Sequence, residues 1–202
     1  MAEKLSIEPD RTAILIMDYQ TGIVGFLGGS QEPLLERAAA VLKGAREAKI
    51  PVIYVVVGFR PGYPEISPRN SRFAAIRQTG RFAADAPGSE VHPAVAPTAG
   101  EITVVKRRVS AFAGSDLEMI LRAKEIHTLV LLGIATSGVV LSTLRHAADS
   151  DYRCIVLKDC CADRDAEVHR CLVEKVFPAQ AMVVASEEFL AAIRPRDRSA
   201  AP

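Results

Sequence analysis

The chain has almost no net charge. Lys and Arg number 25 against 24 Asp and Glu over 202 residues, a formal balance of +1, and the two signs are interspersed throughout. No basic face is evident that would release counterions from a phosphate backbone, so nucleic acid is not expected as a partner. Long hydrophobic runs are missing too. The opening "MAEKLSIEPDRT" has no apolar signal core, and runs such as 128–135 fall far short of the roughly 20 residues a bilayer span needs. No membrane partner and a cytoplasmic location are therefore expected. Cysteine is sparse: Cys154, Cys160, Cys161 and Cys171 cluster in sequence without a CxxC spacing, which argues against a disulfide framework or a zinc knuckle. His92, His127, His146 and His169 are scattered, and no pair stands at a ligand spacing with a carboxylate. The glycines of "GFLGGS" match neither GxGxxG nor a following GK[ST], so no phosphate loop is read there. They are expected to let a loop bend close to a site. Neither a metal nor a cofactor is expected.

What is present is a regular alternation. "TAILIMD" (12–18), "PVIYVVV" (51–57), "ITVVK" (102–106), "TLVLLGI" (128–134), "CIVLKD" (154–159) and "AMVVA" (181–185) are short continuous apolar runs. Such runs suit strands buried on both faces of a parallel sheet. Helix-like stretches lie between them at 32–49, 115–125, 136–150, 166–176 and 187–193. The alternation predicts a Rossmann-like, doubly wound α/β fold: a mostly parallel six-stranded sheet with helices on both faces and right-handed crossovers. A chain of 202 residues, 49% apolar, is long enough to bury one core, so a single domain with a core of about 12–193 is expected. "RPRDRSAAP" (194–202) reads as a flexible tail. Ser115 and Glu118 have the spacing of a capping box. The excursion 58–100, rich in Pro, Gly, Arg and Asn, reads as loops over the sheet with a short helix near 72–77, a form that often covers substrate.

In an open α/β sheet, ligands sit beyond the carboxyl ends of the strands, so the residues ending each run are the candidates. These are Asp18, Lys106, the turn 135–138 and Asp159. Asp18 and Lys106 would meet in an apolar cleft, where a carboxylate beside an ammonium can move protons or can form only a structural ion pair.

"TAILIMDYQ", "VVKRRVSAF", "LLGIATSGVVLSTLRHAADSDY" and "VLKDCCADRD", in that order and at those separations, resemble the isochorismatase-like, or cysteine hydrolase, family over about 12–193. The resemblance implies hydrolysis of a small-molecule substrate by an Asp, Lys and Cys triad. Asp18 and Lys106 match the first two. The Cys position, seventh from the Gly of "GIATSGV", falls on Val139. The resemblance also implies a cis peptide between Ile134 and Ala135, in a turn with Gly138 whose backbone N–H groups would face the site. The zinc-binding nicotinamidases of the family use an Asp and His cluster between the second and third strands; only His92 lies there, which sets that subgroup aside.

A hydrocarbon at Val139 forbids an acyl-enzyme through that residue. The family's Cys-less isochorismatases instead protonate a vinyl ether from the Asp, a route that needs an acid of raised pKa and no nucleophile. The expectation is a hydrolase of a small anionic metabolite working through Asp18 and Lys106. A relocated nucleophile, with Cys160 or Cys161 as candidates, and a non-catalytic binding role are the alternatives. Ser137 lies in the turn and has the character of a helix cap as much as of a pocket residue. Phe26 and Phe112 are the aromatic pocket candidates, and Arg60, Arg69, Arg107 and Arg108 could fork a substrate carboxylate. A homodimer or larger homo-oligomer is expected, with "VVLSTLRHAA" as a self-complementary contact.

Overall fold

The computed structural model describes residues 5–194, so the expected tail lies outside the described residues except for Arg194. Six strands form one sheet: β1 (Thr12–Met17), β2 (Val52–Val57), β3 (Ile102–Lys106), β4 (Thr128–Ile134), β5 (Arg153–Ala162) and β6 (Met182–Val184). Their order is β3-β2-β1-β4-β5-β6, and every neighbouring pair is parallel. The sheet is thus parallel throughout. The winding direction reverses between β1 and β4, and the crevice beyond their carboxyl ends is where such folds place ligands.

The helices are α1 (Thr21–Val24), α2 (Glu32–Glu47), α3 (Ser71–Thr79), α4 (Leu117–Ala123), α5 (Leu141–Asp149), α6 (Ala166–Cys171) and α7 (Ser186–Ile193). Side chains of β1 alternate between two cores because successive residues of a strand point to opposite faces. Ala13, Leu15 and Met17 pack with Leu117, Leu121, Leu144 and Phe177. Ile14 and Ile16 pack with Leu35, Val41 and Leu42 of α2 and Phe189 of α7. Both faces are therefore covered, which is why all six residues of β1 are buried.

Several local expectations are revised. The capping box does not form: Ser115 Oγ accepts from the Leu117 N–H at 3.3 Å and donates to the Ala111 carbonyl, while Glu118 pairs with Arg122. Helix α4 is shorter than its sequence pattern: it ends at Ala123, and Glu125, two residues on, takes a left-handed φ of 52°. The stretches after β4 and after α6 each contain a wider, π-helical turn, Thr136–Val140 and Leu172–Val176. Strand β5 runs past Asp159, because a register shift against β4 carries Cys160, Cys161 and Ala162 back into the sheet. The apolar face of "VVLSTLRHAA" is turned inward: Val139, Val140, Leu144 and Ala147 are core residues.

The excursion between β2 and β3 carries α3, started by the Asn70 side chain accepting from the Phe73 N–H and closed by Gly80 in a left-handed conformation. It has a small core of its own, with Phe59, Tyr63, Ile66, Phe73 and Phe82 around Val57. It is also tied to the loop after β1. Gly22 and Gly88 approach so closely that a Cβ on Gly22 would stand 2.9 Å from the Gly88 carbonyl oxygen.

Candidate functional site

Asp18 follows the last residue of β1 and turns the chain with a left-handed φ of 59°, a region that few non-glycine residues occupy. Its N–H donates to the Val55 carbonyl at 2.8 Å, and its side chain meets Lys106, the last residue of β3. Lys106 Nζ stands 2.9 Å from Asp18 Oδ2 and donates to the Arg108 carbonyl at 3.1 Å. An ammonium has three donors, so one remains for a ligand. Both side chains are buried, and Asp18 Oδ1 has no hydrogen-bond partner among the described residues. Burial raises the pKa of Asp18 above its ordinary 3.8, and the Lys106 charge opposes the rise without cancelling it. The carboxyl can therefore both hold a proton and, once ionised, keep a cation against it.

Facing this pair is the turn after β4. The Ile134–Ala135 peptide is cis. The Ala135 carbonyl accepts from the N–H groups of Gly138 at 3.1 Å and Val140 at 3.3 Å. Thr136 Oγ1 shares a 2.8 Å hydrogen bond with His169 Nδ1, and the Ser137 N–H donates to Asp163 Oδ2 at 2.7 Å. The turn is thus anchored from α6 and the loop before it. Val139 is buried, packs in the core and lines the cavity that Asp18 and Lys106 floor.

That cavity has a volume of about 300 Å³ and is lined by Asp18, Lys106, Ile134, Ala135 and Val139, by Ile23, Phe26 and Leu27 of the loop after β1, and by Phe73, Ile76 and Phe82 of the excursion. Val57, Val109 and the arginines Arg72, Arg81, Arg108 and Arg164 complete the lining. Larger open depressions exist elsewhere; one, bounded by Arg11, Arg122, His127 and Tyr152, lies at the amino ends of the strands, away from the switch point. Chemistry in this fold belongs to the carboxyl ends.

Residues 12–188 match the isochorismatase domain. The chain belongs to the isochorismatase family. It is 32% identical over 200 residues to the uncharacterized isochorismatase family protein YecD of Escherichia coli O157:H7, covering 94% of this chain and 100% of that protein. It is 31% identical over 178 residues to the ureidoacrylate amidohydrolase RutB of Methylorubrum extorquens, covering 78% of this chain and 72% of that protein. Among solved structures, a cysteine hydrolase from Pseudomonas syringae pv. phaseolicola superposes with a TM-score of 0.86 at 25% identity over 96% of this chain and 98% of the other. The N-carbamoylsarcosine amidase of Thermoplasma acidophilum superposes with a TM-score of 0.69 at 29% identity, over 88% and 97% respectively.

In this isochorismatase-family cavity, Asp18, Lys106, Val139, Ile134, Ala135 and Phe26 come together. Phe112 lies elsewhere, buried in the core and stacked on His146 with centroids 4.5 Å apart. Ser137 is exposed, and Gly138 is not among the lining residues; its N–H donates to the Ala135 carbonyl. Of the candidate arginines only Arg108 lines the cavity; Arg60 and Arg107 pair with Glu65. Asp159 serves the fold instead, since its carboxylate accepts from the Ser186 N–H and Oγ–H at the start of α7. Cys160 and Cys161 are buried in β5 outside the cavity lining, and burial pushes both thiols up, Cys161 to about 12. Gln20 is a residue that the sequence does not single out. Its buried amide donates to the carbonyls of Val57 and Ser89 and accepts from the Val57 N–H, joining the ends of β1 and β2 to the excursion. Its one signal in the sequence is an uncharged polar residue two places beyond Asp18.

Proposed function

We propose that this isochorismatase-family chain is a hydrolase of a small anionic metabolite that works by acid–base chemistry without a thiol nucleophile. Asp18 is the proton donor, Lys106 steadies the carboxylate that donation leaves behind, and Val139 is a hydrocarbon wall. The observation that carries this reading is the buried 2.9 Å pair of Lys106 Nζ and Asp18 Oδ2, with Asp18 Oδ1 unpartnered among the described residues, in a cavity that Val139 also lines. Desolvation holds the Asp18 pKa up, as a general acid requires. The named relatives RutB and N-carbamoylsarcosine amidase are amide hydrolases by name, and the shared fold supports hydrolysis as the reaction class. The Val139 side chain departs from a thiol mechanism, because a saturated side chain has no lone pair with which to attack.

For an enol ether the balance closes with these groups alone. The Asp18 proton goes to the terminal alkene carbon, giving an oxocarbenium ion and a carboxylate held by Lys106. Water adds to the cation, since Val139 cannot trap it, and loses its proton to Asp18. The hemiketal then collapses: Asp18 gives its proton to the ether oxygen as that C–O bond breaks, the hydroxyl passes its proton to the carboxylate so formed, and an alcohol and a ketone are released.

The test compares a cell metabolite extract after incubation with wild-type protein and with Asp18→Asn, read by mass spectrometry. The expected result is a metabolite consumed only by the wild type, with products summing to substrate plus water, at a rate unchanged by prior alkylation with iodoacetamide. Matching extracts would overturn the hydrolase reading, and loss of turnover on alkylation would restore a thiol. Isochorismate is the first defined enol ether to try, and inactivity on it removes that substrate.

A further inference from the structure

The candidate cavity holds more positive charge than its own groups neutralise. Five cationic side chains, Arg72, Arg81, Lys106, Arg108 and Arg164, line it against one carboxylate, Asp18. Three of the five are engaged. Lys106 pairs with Asp18. Arg81 donates to the Gly22 carbonyl at 3.0 Å and lies over the Phe26 ring at 3.7 Å. Arg108 donates to the carbonyls of Arg107 and Glu65 and faces the Phe73 ring. Arg72 and Arg164 have neither a hydrogen bond nor an ion pair among the described residues, and both are exposed at the rim. Arg72 Nη2 comes within 3.7 Å of where a Cβ on Gly138 would stand, so its guanidinium lies over the turn that carries Val139. Arg164 reaches the same cavity from the loop between β5 and α6.

The surroundings select among oxyanions. The helices beside the two arginines are closed by their own side chains: Asn70 accepts from the Phe73 N–H at the start of α3, and Asp165 accepts from the Glu167 and Val168 N–H groups at the start of α6. These starts therefore offer no open cradle of backbone donors of the sort that phosphates use. What remains is two planar guanidinium forks, which match a carboxylate edge or two phosphate oxygens; a singly charged carboxylate is the better match to the largely apolar wall below them. Beneath them the wall is apolar, with Phe26, Phe73, Ile76, Phe82, Val109 and Val139.

We propose that Arg72 and Arg164 clamp a substrate carboxylate at the mouth of the cavity, so that the substrate is a short apolar carboxylic acid lying carboxylate outward with its reacting group against Asp18 and Lys106. This deepens the hydrolase reading of the same cavity and rests on it for the inward end only. Arg72, at the start of α3, and Arg164, in the loop before α6, are specificity-determining residues in this arrangement.

The test is calorimetric titration, at low salt, of three monocarboxylates (benzoate, trans-cinnamate and phenylpyruvate), with cinnamamide as the neutral isostere of cinnamate and phenyl phosphate as the alternative anion. At least one of the acids is expected to bind, and cinnamamide more weakly than cinnamate. Arg72→Gln and Arg164→Gln should each lower the affinity for the acid roughly tenfold, leave cinnamamide unchanged, and leave the unfolding midpoint unchanged. Failure of all three acids to bind, equal binding of acid and amide, or indifference to both substitutions would overturn the clamp. Tighter binding of phenyl phosphate than of every acid would overturn its assignment to carboxylates. The two readings separate cleanly. Matching metabolite extracts from wild type and Asp18→Asn, together with arginine-dependent binding of an acid, would leave the clamp standing and remove hydrolysis; differing extracts with arginine-independent binding would do the reverse.

Discussion

The two walls of the cavity carry opposite chemistry. On the β1 and β3 side, Asp18 and Lys106 are charged, buried and 2.9 Å apart. On the β4 side, Val139 is a hydrocarbon that belongs as much to the core as to the cavity. The first wall is thermodynamically awkward, because burying two charges costs about as much as their attraction returns, and a hydrophobic pair of similar volume would often serve stability equally well. The second is ordinary packing. The comparison teaches that the unusual part of the site is the pair the fold has kept, and it is there that chemistry should be sought.

The hardest way to break the contrast is to remove one charge. Lys106→Met leaves Asp18 buried without a cation, and should lower unfolding free energy by about 3–5 kcal/mol in urea titration, with a fall in turnover of about 10²–10⁴. Adding Asp18→Asn to that variant should recover part of the stability and none of the turnover.

The pH profile sharpens the same wall. As a proton donor with a pKa raised by burial, Asp18 should give a rate that is flat at low pH and falls as pH rises through the raised value. Lys106 lowers that pKa, so whatever turnover Lys106→Met retains should hold to a higher pH. A rate that climbs through the same limb would make Asp18 a base instead. Stability follows the same sign: the Asp18 contribution is fullest below 3.8 and is lost as pH rises through the raised folded-state value, a slope that Asp18→Asn should abolish.

Smaller changes probe the hydrocarbon wall. Val139→Cys removes about one methyl's worth of buried volume and should lower stability by about 0.5–1.5 kcal/mol. It should add one iodoacetamide adduct by mass spectrometry beyond those of the wild type, whose Cys160 and Cys161 are buried with raised pKa values. The smallest effect belongs to those two thiols. Cys160→Ala and Cys161→Ala should leave turnover within about twofold, with a packing loss of about 1 kcal/mol each in thermal melts.

Much of the molecule is legible in one dimension. Strands buried on both faces read as unbroken apolar runs, and the polar residue at the end of each run marks the carboxyl edge, which is how Asp18 and Lys106 stand out. The limits are equally local. Ser115 and Glu118 have the capping spacing, yet Arg122 competes for the glutamate and Ala111 for the serine. The apolar run of β5 stops at Asp159, where a register shift instead returns the chain to the sheet.

The sequence by itself determined the α/β order, the two charged strand ends and the absence of a thiol at position 139, because each depends on residue type and near-neighbour spacing. Only the tertiary structure decided who meets whom. Asp18 and Lys106 are joined because β1 and β3 flank β2, 88 positions of chain notwithstanding. Thr136 finds His169, Gln20 finds Ser89, and Arg72 from the start of α3 and Arg164 from the loop before α6 reach one cavity. Those contacts carry no periodicity, since they are set by strand order and by the direction in which each loop folds back over the sheet.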